Sequence, residues 1–273
     1  MRVASLVWLL AGCVGVTGCT GVPGFDHPQV TLIPQYVLLR VRGDSSMQSA
    51  DGSGDIINNS AIALSDMGLG DREEDVGGTI HFGDGFSGAD LSYLRIDHET
   101  STGQTLPTAY GAVRQGDVAR PRFEMDEYRL RYAAAVFDHE TDSGVRIQLG
   151  PGVLLAHRNG ELSLSEVGRE RRQAAKFRDN GIVYLGARSR FGYRGFALQA
   201  DYAINPDVTW GGDFDGVLHD LEVTGSFTFE DQALRLYAGY RRSDLDTSGT
   251  AGPFAYSSDV VLDGYVLGVG FTF

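Results

Sequence analysis

Apolar and polar residues alternate along most of this chain. In Tyr265, Leu267, Val269, Phe271 and Phe273 every second residue is apolar, with the smaller Val266, Gly268, Gly270 and Thr272 between them. A period of two sends the two sets to opposite faces of a β-strand. The same rhythm runs through Leu221, Val223, Gly225, Phe227 and Phe229, through Leu234, Leu236, Ala238 and Tyr240, and through Tyr128, Leu130 and Tyr132. It predicts an all-β chain with strands at residues 35–42, 76–83, 89–97, 124–137, 144–156, 182–191, 195–204, 218–229, 232–241 and 260–273.

The segments between these strands alternate strictly between long and short. The long ones are 43–75, 98–123, 157–181, 205–217 and 242–259; the short ones are 84–88, 138–143, 192–194 and 230–231. Apolar-out, polar-in strands with turns on one side and long loops on the other are the pattern of a closed antiparallel transmembrane β-barrel. An even number of strands lets the sheet close without a free edge. Ten strands fit best; eight fit if the first strand, or the weakly alternating 89–97, is misread. Alternation alone also suits a soluble β-sandwich with its apolar face inward.

The N-terminus has a different character. Arg2 is followed by an apolar run from Val3 to Val16, too short to span a bilayer as a helix, and this reads as a secretory signal peptide over residues 1–18. Residues 19–34, with Pro23, Pro28 and Pro34, read as a periplasmic lead-in, and residues 35–273 as the barrel. Both cysteines, Cys13 and Cys19, fall at the N-terminus, so the body has no disulfide framework and no thiolate metal site. A net charge of −13 makes nucleic acid a poor partner. No His-x-His or His-Glu-x-x-His spacing points to a metal, and no cofactor motif is present.

Two short segments carry resemblances. The aromatic, alternating terminal strand resembles the C-terminal signature of bacterial outer-membrane barrels, which is recognised by the barrel-assembly machinery during insertion. Val16-Thr17-Gly18-Cys19 resembles a bacterial lipobox, which implies lipidation at Cys19; Leu10-Ala11-Gly12-Cys13 fits the same pattern but leaves a very short apolar run. A third segment, Ile62 to Asp71 in the first long connection, is similar to one near the first hairpin of small OmpA- and OmpW-like barrels. These resemblances imply architecture and a bacterial outer-membrane location, with lipid and lipopolysaccharide as partners, rather than an activity.

Candidate chemistry lies on the polar face. Arg40, Arg42, Arg129, Arg131, Arg146, Arg188, Arg190, Arg235 and Arg241 fall on positions assigned to the lumen, against Glu127, Asp201, Asp220 and Glu222. Such a set attracts anions, or fills a small barrel with paired charges; the second reading, a plugged or very narrow lumen, is adopted. His219-Asp220 near Asp213 and Asp215, with His98-Glu99 and His157, forms the basis of an alternative rim hydrolase, a protease like the omptins or a lipid A-modifying enzyme. Neither family's motif is reproduced around these residues, and no catalytic residue is assigned. Acidic stretches at 71–75 and 213–215 suit divalent cations or a solvated rim. Residues 164–178, rich in Arg, read either as a short basic helix or as a flexible loop. The expected function is an outer-membrane barrel of structural or narrow-channel type; a soluble, lipid-anchored periplasmic β protein is the further alternative.

Overall fold

A computed structural model describes residues 29–169, 171–178, 181–206, 212–214, 216–229 and 234–273. The leader, Cys13 and Cys19 lie outside the described residues. Ten long strands form one antiparallel ring: β1 (Gln29–Met47), β2 (Arg72–Gly83), β3 (Gly88–Glu99), β4 (Val118–Ala133), β5 (Val145–Glu166), β6 (Ile182–Tyr193), β7 (Phe196–Asn205), β8 (Leu218–Thr228), β9 (Leu234–Ala251) and β10 (Phe254–Thr272). Each pairs with its sequence neighbour, and β10 returns to β1 from Thr31↔Thr272 to Met47↔Tyr256. The fold is thus an all-β transmembrane barrel with ten strands in its ring, and each predicted strand overlaps one of them.

Several boundaries differ from expectation. β1 already includes Gln29 to Pro34, which therefore belong to the barrel wall rather than to a lead-in. The expected long loop at 242–259 is instead a continuation of β9 and β10, paired up to Ala251↔Phe254 around Gly252 and Pro253. Residues 172–178 form a strand, not a helix, because Ala175 and Phe177 alternate inward as the segment pairs with the outer part of β5.

Short connections gather at one end. Arg194 and Gly195, at φ +45° and +78°, make the two-residue turn between β6 and β7, the left-handed pair that suits the twist of a hairpin. Between β2 and β3 the Asp84 carboxylate accepts the N–H groups of Phe86 and Ser87 at 2.9 and 2.6 Å, which folds the turn so that Phe86 is fully buried.

Polarity inverts along the barrel axis. Near the short turns the outward residues are apolar: Leu32, Ile147, Leu149, Phe191, Leu198, Leu236 and Phe271 are all more than a third exposed. A continuous exposed belt of this kind would be unstable in water and is the lipid-facing surface of a membrane barrel. Outward tyrosines mark its upper edge. Tyr93 and Tyr128 lie 4.9 Å apart, Tyr240 and Tyr265 lie 6.1 Å apart, and the Arg72 guanidinium sits 4.9 Å above the Tyr265 ring. From Phe273 to Tyr265 a strand tilted by about 40° climbs roughly 20 Å, the scale of a thin bilayer core.

Beyond the tyrosines the faces exchange character. Asp126, Glu124 and Arg122 now point outward on β4, while Met125, Phe123 and Ala119 are buried inside. The long connections fold into this end and fill it. Leu64, Met67 and Leu69 come from the first, Leu106, Tyr110 and Val113 from the second, Phe177 from the third and Phe214 from the fourth, all essentially buried in one apolar core. Phe177 stacks on Phe123 at 5.9 Å and meets Phe214 edge-on at 5.8 Å. The Tyr110 phenol, pushed up to about 12 by burial, shares hydrogens with Ser45 at 2.9 Å. The segment from Ile62 to Asp71 is therefore part of the plug, anchored by Ser45↔Ile62 and Asp44↔Ala63 pairing.

Candidate functional site

The strand alternation that turns Tyr128 and Leu130 toward lipid turns Glu127, Arg129 and Arg131 into the lumen. There they meet inward residues from five other strands. Arg158 on β5 donates from Nε to Glu127 at 2.9 Å, and from its two terminal nitrogens to the Tyr184 hydroxyl at 2.6 Å and Ser243 at 2.7 Å. Arg241 on β9 pairs with the other Glu127 oxygen. Arg129 pairs with Asp220, and Arg131 reaches Asp220 at 3.1 Å and both Glu222 and Asp201 at 3.3 Å.

The network continues toward the short turns. Arg188 spans Asp201 at 2.7 Å and Asp90 at 2.5 Å, and donates to the Phe86 carbonyl at 2.8 Å. His81 sits 2.6 Å from the other Asp90 oxygen through Nδ1, while its Nε2 accepts the Gly85 N–H at 3.1 Å. Those two contacts set the tautomer, with the proton on Nδ1. Five guanidinium groups (Arg129, Arg131, Arg158, Arg188, Arg241) thus face five carboxylates (Asp90, Glu127, Asp201, Asp220, Glu222). Balanced pairing is the condition under which such charges persist without water.

Below this layer is a cavity of about 90 Å³, lined among others by Gln35, His81, Arg190, Gln199, Arg235 and Tyr237. Its lower lining residues keep partial exposure at the short-turn end, whereas the charged layer and the apolar plug close it above. Arg146 stands at the mouth on the same side, paired with Asp138 at 2.5 Å and next to Gln148.

Of the nine arginines expected inside, six line the lumen and Arg146 stands exposed at its mouth; Arg40 and Arg42 are not inside. They point outward above the tyrosine edge and hold Asp263, at 3.4 and 2.6 Å. At that height the lumen is apolar, and β1 turns Val37, Leu39 and Val41 inward instead. The histidines do not assemble a catalytic set. His219 faces outward and shares a hydrogen with Tyr202 at 2.8 Å, while its neighbour Asp220 is buried in the lumen. His157 stacks outward on Tyr128 at 6.2 Å, and His98 is fully buried inside, 2.9 Å from Asp75. Asp213 receives the Arg178 N–H at 3.0 Å; Asp215 lies outside the described residues. Among the described residues no group of three or more His, Cys, Asp or Glu is arranged to hold a metal.

Arg158, the most completely enclosed arginine among the described residues, falls in the segment 157–181 that the sequence reads as a long loop. The signal for it is phase: Leu154, Ala156, Arg158, Leu162 and Leu164 keep the inward period of two past the expected strand end.

No protein-family model matches the chain, and no curated protein sequence matches it. Solved structures with which it shares a likeness include the outer membrane protease OmpT from Escherichia coli, at 11% identity and TM-score 0.48, covering 89% of this chain and 97% of that one. A FadL homologue from Pseudomonas aeruginosa aligns at 10% identity and TM-score 0.31, over 91% and 90% of the two chains. The toluene transporter TodX of Pseudomonas putida aligns at 7% identity and TM-score 0.27, over 89% of each.

Proposed function

We propose that this chain is a bacterial outer-membrane β-barrel of structural type, with a lumen sealed to ions. The apolar belt below the tyrosine edge supports the membrane reading over a soluble lipid-anchored protein. One observation carries the seal: Arg158, fully buried, crosses the lumen between Glu127, Tyr184 and Ser243, directly beneath a buried apolar plug drawn from four long connections. A conducting path would have to break both layers. On this reading the short turns face the periplasm and the tyrosine edge meets lipopolysaccharide. The terminal strand is the segment read by the barrel-assembly machinery, and Cys19 carries a lipid. The resemblance of Ile62 to Asp71 to OmpA- and OmpW-like barrels belongs to the same reading.

The seal is tested by reconstituting the protein in planar bilayers. No ion conductance above membrane leak is expected. Stable unitary current steps in the unmodified protein would overturn the proposal.

A further inference from the structure

Two cations remain outside the balanced network. Arg190 on β6 and Arg235 on β9 both line the cavity beneath it. Arg235 donates to Thr228 at 2.7 Å and to the Tyr237 hydroxyl at 3.3 Å. Arg190 has no hydrogen bond, and neither residue forms an ion pair, among the described residues. The Arg190 guanidinium rests against the β2–β3 turn: a methyl group placed on Gly85 would lie 2.7 Å from its Nη1. Partly enclosed guanidinium groups without a bonded counter-charge are costly. The Asp84 carboxylate of the β2–β3 turn acts on Arg190 only at longer range and is bonded to the Phe86 and Ser87 N–H groups. The two carboxylates of the lining, Asp90 and Glu222, are already committed to other arginines. The remaining lining is rich in hydrogen-bonding groups, namely Gln35, Thr79, Gln199, Thr224, Ser226 and Tyr237.

We infer that this cavity is a binding site for a small oxyanion of the phosphate or sulfate class, entering from the short-turn end. The volume suits it. About 10–15 Å³ of this kind of space admits one water, so about 90 Å³ holds several waters or one tetrahedral oxyanion. Two guanidinium forks match oxyanion geometry better than a spherical halide. The closed layer above makes the site a dead end rather than a passage, so the inference goes beyond the sealed-barrel reading and needs only the folded barrel.

The test is calorimetric titration of the full mature protein, refolded in detergent, with inorganic phosphate and separately with sulfate. Both are expected to bind with one-to-one stoichiometry, and chloride at equal ionic strength is expected not to compete. Arg190→Gln and Arg235→Gln should each weaken binding about tenfold or more, the scale of one charge-assisted hydrogen bond, and the double variant should abolish it. Folding of each variant is checked by the heat-dependent shift in gel mobility. In addition, phosphate should raise the urea midpoint of the unmodified protein and leave that of the double variant unmoved. If the double variant does not fold, Arg190→Lys, which keeps the charge but loses the fork, should still weaken phosphate about tenfold. Absence of phosphate binding, equal affinity in the variants, or displacement by chloride as readily as by sulfate would each overturn the inference.

Discussion

Replacing Glu127 by Gln removes one negative charge and almost no volume. In the native barrel its two oxygens separate the guanidinium groups of Arg158 and Arg241, and none of the three side chains is more than a tenth exposed. A glutamine offers one acceptor and an NH2 group, so one guanidinium then faces a donor. Arg158 keeps Tyr184 and Ser243, but Arg241 loses the carboxylate it is bonded to and is left buried with only the more distant Asp220 and Glu222 to offset it. Breaking a buried pair in this way costs about 3–5 kcal/mol. With a urea dependence of about 2 kcal/mol per molar, the unfolding midpoint should fall by roughly 1.5–2.5 M. The assay is urea titration of protein refolded in lipid vesicles, read by the gel-mobility shift between folded and unfolded forms. Adding Arg241→Met to Glu127→Gln should recover part of the loss, since the orphaned charge is then gone and the two effects are coupled. A midpoint unchanged by Glu127→Gln would mean that water reaches this carboxylate and that the charged layer does not close the lumen.

Three further outcomes follow from the same structure. Leu236→Arg puts a charge on the lipid face and should cost about 2–4 kcal/mol in vesicle unfolding, whereas Leu236→Phe should be near neutral. Gly264→Ala should destabilise the seam between β1 and β10, because a Cβ there lies 1.9 Å from the Leu38 carbonyl oxygen; a loss of about 1–3 kcal/mol is expected in the same assay. Cys19→Ala should abolish metabolic labelling with a radioactive fatty acid while Cys13→Ala leaves it intact, and labelling that survives the loss of Cys19 would refute the assigned anchor.

The sequence made the strands legible because a membrane barrel enforces a period of two on both faces, and Leu236 against Arg235 or Tyr202 against Asp201 follow it directly. It also marked most of the charged layer, since Arg129, Arg131, Arg188 and Arg241 lie opposite plainly apolar neighbours. The polarity inversion was not legible. In Tyr36 to Leu39 both faces are apolar, so the phase of β1 cannot be read locally. Only the plug, assembled from residues far apart in sequence, decides that Val37 and Leu39 turn in and Arg40 turns out. The extent of β9 and β10 was hidden for the same reason: Asp244, Asp246 and Asp259 resemble loop residues, yet they are the outward face of strands whose inward Leu245, Val260 and Leu262 cover the plug. His219 and Asp220 illustrate the opposite hazard, as adjacency in a strand separates two side chains rather than joining them.

The central claim is that this barrel meets lipid with one face and closes its lumen with the other. Leu236 (45% exposed, outward) and Ser226 (inward, beside Tyr237 in the β8–β9 register) sample the two faces at nearly one height. In protein carrying Cys13→Ser and Cys19→Ser, Leu236→Cys and Ser226→Cys are each refolded into vesicles unlabelled and then treated with a thiol reagent confined to the acyl chains. Modification at position 236 and none at position 226 is the expected result. Modification at 226 from the lipid, or a position 236 that the lipid-borne reagent misses and a water-soluble thiol reagent modifies in the folded protein, would contradict it.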